Sequence, residues 1–147
     1  MRSYAIAEAR VFVDTNVLVY AYDVDAGQKH DAARALIADL WQTRQGVISA
    51  QVMQEFYDTV CRKLSTPLDR LTARAIIETY RAWPVHAFDV SDVLTASELE
   101  ERYQLSFRDA LIVAAARRMN ADRLMSEDFQ AGRRLEGILI ENPFTAL

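Results

Sequence analysis

Cysteine occurs once in the 147 residues, and a lone Cys61 excludes both an internal disulfide and a thiolate zinc cluster. Its place between Val60 and Arg62 in a helical stretch marks it as structural rather than nucleophilic. Histidine is nearly as scarce. His30 and His86 lie far apart and complete no Ser/His/Asp or His/Cys pattern, which leaves them surface or structural roles. Four Gly and three Pro, widely spread, provide neither a flexible linker nor a low-complexity tail, and no internal repeat is visible. With 51% hydrophobic residues, the chain 1–147 is expected to form one compact domain with a sizeable core. No apolar run approaches the ~20 residues of a membrane span, and Met1-Arg2-Ser3-Tyr4-Ala5-Ile6-Ala7-Glu8 lacks the apolar stretch of a secretory signal. A soluble, cytoplasmic protein without a membrane partner is expected.

Lysine is rare too: fifteen of the seventeen Lys and Arg residues are Arg. The net charge of -4 counts against a dedicated nucleic-acid binder, whose phosphate contacts usually come from a basic domain. The distribution softens this. Arginine suits bidentate contact with phosphate or with a partner's carboxylates, and acids that bind a metal are neutralised by it.

What the chain has in quantity is short apolar runs alternating with helical periodicity. Residues 10–13, 47–48, 85–87, 123–125 and 137–140 read as strands. Between them, helices are predicted from residue 15, with a break near 23–27, then over about 30–41, 50–64, 69–83, 91–103 and 107–119. Ser49, Ser106 and either Asp89 or Ser91 stand where N-caps belong, and Pro84 ends the fourth of these helices. The helix over 107–119 is apolar almost all round and should be buried. This alternation implies a parallel sheet with helices on both faces, in which sites gather beyond the carboxyl ends of the strands.

Four acids fall at that edge. Asp14 directly follows the first strand, Glu55 sits in the first turns of the helix after the second, Asp109 opens the most apolar helix and Asp128 comes three residues after Met125. An acid beside so much apolar sequence must be paired, protonated or bound to a cation. Taken singly, each has a plain structural role as a cap, a turn residue or half of an ion pair. Four together point to a hard divalent cation, Mg²⁺ or Mn²⁺, and to phosphodiester chemistry.

The motifs Val13-Asp14-Thr15-Asn16, Gln54-Glu55-Phe56, Phe107-Arg108-Asp109-Ala110-Leu111-Ile112 and Leu124-Met125-Ser126-Glu127-Asp128-Phe129 resemble the acidic motifs of PIN-domain nucleases, most closely the VapC type of toxin ribonuclease. The resemblance runs through nearly the whole chain, as far as Asn142-Pro143-Phe144. It implies a three-layer α/β/α domain with a mostly parallel sheet of four to five strands, cutting RNA with Mg²⁺ or Mn²⁺ and silenced by a cognate antitoxin. Asp14 and Asp109 match the principal metal ligands, and Glu55 and Asp128 the other acids. Thr15, Asn16 and Ser126 match polar neighbours of the carboxylates. Glu127 adjoins Asp128, and the motif favours Asp128 as the inward-pointing acid. Relatives of this kind can gain binding surface as homodimers. Other tasks consistent with the resemblance are RNA maturation, cleavage of structured DNA, or binding of RNA or protein without cutting.

Arg108, next to Asp109, is read either as a contact for substrate phosphate or an antitoxin, or as half of a local salt bridge. Arg117-Arg118 and Arg133-Arg134 can track an RNA backbone, although for Arg117-Arg118 stabilisation of helix C-terminal carbonyls is the better reading. Trp41, Phe56, Tyr57, Trp83 and Phe107 can stack on bases, but aromatics at helical spacing more often belong to a core.

Overall fold

The computed structural model describes residues 9–147; the stretch read for a secretory signal, residues 1–8, lies outside them. The element order is β1 (Val11–Val13), α1 (Thr15–Tyr22), α2 (Gln28–Thr43), β2 (Gly46–Ser49), α3 (Ala50–Arg62), α4 (Arg70–Tyr80), β3 (Val85–His86), α5 (Val90–Tyr103), α6 (Phe107–Arg118), β4 (Arg123–Met125), β5 (Arg134–Leu135) and β6 (Ile138–Glu141). The strands form one sheet in the order β3-β2-β1-β4-β6-β5, parallel throughout except for the β5/β6 pair.

The strand order dictates the layers. Connections β1 to β2 and β2 to β3 step the same way along the sheet, so right-handed crossovers place their helices on one face. The connection from β3 back to β4 steps the other way and covers the opposite face. The packing agrees: α1 lies against α2 and α3, α3 against α4, and α5 against α6. The result is the expected three-layer α/β/α stack. Among the described residues the sheet has six strands, close to the four to five expected. β5 forms a hairpin with β6 through Glu136 and Gly137, both at positive φ (53° and 82°), a pair of conformations that suits a tight antiparallel turn.

Val11, Phe12 and Val13 are completely buried, as a central strand covered on both faces must be. The α6 run Ala110 to Ala116 is likewise buried apart from the half-buried Leu111. Its alanines let the helix lie close to its neighbours. Caps fall where expected. Ser49 Oγ accepts from the Val52 N–H at 3.2 Å, Ser106 Oγ accepts from the Asp109 N–H at 3.1 Å, and Asp89 rather than Ser91 caps α5. α4 ends at Tyr80, before the predicted limit, and Trp83 folds back on Tyr80 with ring centroids 5.0 Å apart. Trp41, Phe56 and Trp83 pack into the core, whereas Phe107 remains exposed. Among the described residues, no helix is long and apolar enough to cross a membrane.

Candidate active site

β1 lies between β2 and β4, so the chain leaves it in one direction first and returns on its other side later. That reversal creates a crevice at the carboxyl ends of β1 and β4, where open α/β sheets collect their ligands. Asp14 follows β1 directly, and Ser126 follows β4. Because Val13 pairs with Met125, the next residues on the two strands stand side by side. The Asp14 N–H donates to the Met125 carbonyl at 3.0 Å, and the Ser126 hydroxyl donates to Asp14 Oδ2 at 2.7 Å.

Asp14 is also the N-cap of α1, its Oδ1 accepting from the Thr15 N–H at 2.7 Å. Glu55 reaches the same point from α3 and accepts from the Thr15 hydroxyl at 2.6 Å. Asp109 arrives on the first turn of α6, and Asp128 on the loop after β4, where its N–H donates to Ser126 Oγ at 3.0 Å. All four acids converge, and the side chain that joins them is Arg108. Its guanidinium lies 2.6 Å from Glu55, 2.8 Å from Asp14, 3.0 Å from Asp109 and 3.7 Å from Asp128. Of the two sequence readings of Arg108, the ion pair is the one adopted here, with every acid of the cluster at once.

Glu127 turns away. Its carboxylate accepts from the Tyr20 hydroxyl at 2.6 Å and from Lys29 at 2.9 Å, outside the cluster. Asn16 Oδ1 accepts from the Glu127 N–H at 3.3 Å, while its buried Nδ2 has no hydrogen-bond partner among the described residues. Arg117 and Arg118 stand in the last turn of α6, where a cation suits the terminal carbonyls, and they also reach acids of other elements. Arg117 pairs with Glu136 at 3.0 Å and Arg118 with Asp92 at 3.0 Å, because acids from neighbouring elements come within their reach. His30 bonds the Tyr20 carbonyl and His86 bonds Asp92, both structural roles.

The electrostatics follow from four carboxylates facing a single guanidinium. Burial works to raise the Glu55 carboxyl, but hydrogen bonds from Arg108 and Thr15 outweigh it and hold the group below the usual glutamate range. Burial and the charge of Asp14 push the Asp128 carboxyl up, against the pull of Arg108. For Arg108, burial opposes the charge, yet bonds from Glu55 and the charge of Asp14 raise its pKa above the ordinary arginine value. It is a permanent cation.

This donor set fits a hard divalent ion in kind: all oxygen, and acidic in excess. The spacing is a separate matter. Among the described residues, no three His, Cys, Asp or Glu side chains are drawn together as a ready metal cage.

Beside the acids opens a cleft of about 490 Å³, a size that suits a nucleotide unit. Thr15, Asn16, Glu55, Arg108 and Asp128 line it together with Tyr20, Thr59 and Lys63, which the sequence reading did not single out. A signal for the last two existed. Glu55, Thr59 and Lys63 recur every four residues along α3 and its C-cap, and so share one face.

A model of the PIN domain family matches residues 11–134. Ribonuclease VapC23 from Mycobacterium tuberculosis is 34% identical over 122 residues, covering 80% of this chain and 92% of that protein. Among solved structures, a toxin-antitoxin complex from Klebsiella pneumoniae has a chain with TM-score 0.65 at 18% identity, covering 92% of this chain and 98% of its own. VapBC2 from Rickettsia felis, bound to a DNA fragment from its promoter, gives 0.62 at 20% identity and covers 90% and 97%. With this fold, this strand order and these matches, the chain belongs to the PIN-domain family, in its VapC-type branch.

Proposed function

We propose that this chain is a metal-dependent endoribonuclease that hydrolyses RNA phosphodiester bonds in the cytoplasm as the toxin of a toxin-antitoxin pair, with Mg²⁺ or Mn²⁺ as its cation. The observation that carries the proposal is the meeting of Asp14, Glu55, Asp109 and Asp128, from four separate segments, at the crevice beside β1 and β4. The similarity to a ribonuclease at 34% identity supports RNA as the substrate. Likeness to toxin-antitoxin complexes supports an antitoxin partner.

Asp14 and Asp109 are the residues that would hold the cation, which when bound supplies Lewis acidity for water activation and shields the charge of the attacked phosphodiester. Glu55 and Asp128 would orient the attacking water. Ser126 fixes the Asp14 carboxylate, and the Thr15 hydroxyl fixes Glu55. Burial and the charge of Asp14 push the Asp128 carboxyl up, the direction that suits a group taking up and releasing a proton. The cleft beside the acids receives the RNA strand, with Lys63 and Asn16 positioned to meet its phosphates and base edges. No covalent enzyme intermediate is required.

The test is cleavage of a mixed cellular RNA pool with Mg²⁺, Mn²⁺ or EDTA, beside Asp14→Asn. This substitution removes a charge with little change in volume. Cutting that needs the metal and disappears in the variant is expected, as is its suppression by the cognate antitoxin. Full activity in Asp14→Asn, or undiminished cutting in EDTA, would overturn the proposal.

A further inference from the structure

Arg108 uses its whole guanidinium on the acid cluster. Nε donates to Glu55 Oε2 at 3.2 Å. Nη1 donates to Asp109 Oδ1 at 3.0 Å and Asp14 Oδ2 at 3.4 Å, and Nη2 to Glu55 Oε1 at 2.6 Å, Asp14 Oδ1 at 2.8 Å and the Thr15 hydroxyl at 3.1 Å. A surface ion pair needs one partner. Here a single cation sits where the carboxylates of four segments point.

A divalent ion such as Mg²⁺ needs the same oxygens at roughly 2.0 to 2.1 Å. Both Asp14 oxygens and both Glu55 oxygens already accept from Arg108, and two cations sharing one set of oxygens repel strongly in a partly buried site. The guanidinium lies between the acids, and among the described residues they form no ready cage. An exit exists. Arg108 stands on the first turn of α6, its side chain is 32% exposed, and it lines the open cleft, so rotation about its own bonds carries it out without moving the helix.

We propose that Arg108 is a built-in competitor of the catalytic cation: its guanidinium fills the acid cluster in the metal-free protein and must be displaced into the cleft for a divalent ion to bind. The inference rests on the metal-nuclease reading above. It makes metal loading a two-state exchange, in which apparent affinity is reduced by the small fraction of molecules with Arg108 out. The residue thereby sets the cation concentration at which the enzyme switches on.

The experiment measures Mn²⁺ binding to the full chain from the free-ion electron paramagnetic resonance signal, for wild type, Arg108→Gln and Lys63→Gln. Arg108→Gln is expected to bind about tenfold more tightly or better, as an Arg-in state populated at 90% or more requires. Lys63→Gln removes an equal charge from the cleft without opening the cluster and should change affinity by less than about threefold. A second measurement follows the Arg108 Nε–H resonance in the wild type, identified by its absence from Arg108→Lys, during a Mg²⁺ titration. Displacement moves it from a hydrogen-bonded position to fast exchange with water. Equal or weaker Mn²⁺ binding by folded Arg108→Gln, an equal gain in Lys63→Gln, or an Arg108 resonance unmoved at saturating Mg²⁺ overturns the inference while leaving the nuclease assignment in place. If neither wild type nor Arg108→Gln binds Mn²⁺, the metal-dependent reading falls with it. Should Arg108→Gln fail to fold, the Mg²⁺ titration of the wild type decides.

Discussion

The Ser126 hydroxyl donates to Asp14 Oδ2 across 2.7 Å, and neither residue has any exposed surface. Strand register produces this pair, since Val13 lies opposite Met125 and the chain runs parallel through both. The same Ser126 oxygen accepts from the Asp128 N–H at 3.0 Å, so one hydroxyl fixes one acid and the loop carrying another. Ser126→Ala removes a hydrogen bond to the buried Asp14 carboxylate and one from the Asp128 N–H, and should cost about 1 to 3 kcal/mol. The denaturant midpoint measures that loss. Metal affinity or activity should fall about 10- to 100-fold, as expected for a residue that orients a ligand. Unchanged stability and cleavage would show that the hydroxyl is not needed to hold Asp14.

Glu127 and Asp128 are neighbours in sequence but answer to different partners. Glu127 is tied to Tyr20 and Lys29, while Asp128 faces Arg108 and the charge of Asp14. Glu127→Gln keeps an acceptor for Tyr20 and loses only a partly exposed ion pair, so its cost should stay below about 1 kcal/mol, with turnover little changed. Asp128→Asn should lower turnover about a hundredfold or more, the scale of a lost proton-transfer or water-orienting group. Parallel rate assays on the two variants decide between the carboxylates. A larger loss in Glu127→Gln would reverse the assignment.

The acids were legible in the sequence because each stood against apolar residues that a solvated charge would not choose, and Asp14 at the end of Val11-Phe12-Val13 is the clearest case. The caps Ser49 and Ser106 and the buried α6 were legible for similar local reasons. β5 was not. It has two residues, one of them the exposed Arg134, and its turn is Glu136-Gly137 rather than the Asn-Gly or Asp-Gly that usually announces a hairpin. Arg108 marks the deeper limit. Its neighbour in sequence is Asp109, but the contacts that define it come from Asp14 and Glu55, more than fifty positions away, and those distances exist only once β1, α3 and α6 have assembled. The ion pairs of Arg117 and Arg118 were hidden for the same reason: the helix terminus was visible, whereas Glu136 and Asp92 were not yet beside them.

Asp92 carries an acid-sensitive part of the stability. It is 2% exposed, and Oδ2 accepts from the Asp89 N–H at 2.8 Å and from His86 at 2.9 Å, while Oδ1 accepts from Arg118 at 3.0 Å. Burial pushes its carboxyl up, but the Asp89 backbone, His86 and Arg118 outweigh burial and hold the group below the ordinary aspartate value. A carboxyl depressed in the folded state binds fewer protons than in the unfolded chain. Its contribution is therefore fully present above the unfolded pKa of about 4 and is lost as pH falls through the folded value. Asp92→Asn turns an amide donor towards groups that already donate and should cost about 2 to 4 kcal/mol at neutral pH. Urea denaturation at neutral pH and again below pH 4 checks the sign: the gap between variant and wild type should shrink in acid. A gap independent of pH would mean that Asp92 is not ionised in the fold.

Gly46 is small because of Trp83. A β-carbon at position 46 would lie 2.5 Å from the indole ring, against the roughly 3.5 to 4.0 Å of a comfortable carbon contact. The ring has little freedom to yield, being 6% exposed and held by Trp41 and Tyr80 at centroid distances of 5.3 Å and 5.0 Å. Nor can the backbone retreat easily, since Gly46 pairs with Val11 at the start of β2. Gly46→Ala should therefore destabilise by about 1 to 3 kcal/mol, the range for overpacking a filled core. β2 runs directly into the Ser49 cap and into α3, so the same shift displaces Glu55 and should lower cleavage as well. Combining Gly46→Ala with Trp83→Leu separates the two effects in a double-mutant cycle: if the collision is the cause, the pair costs less than the sum of the single changes. A Gly46→Ala variant that melts with the wild type would show that the indole moves aside freely.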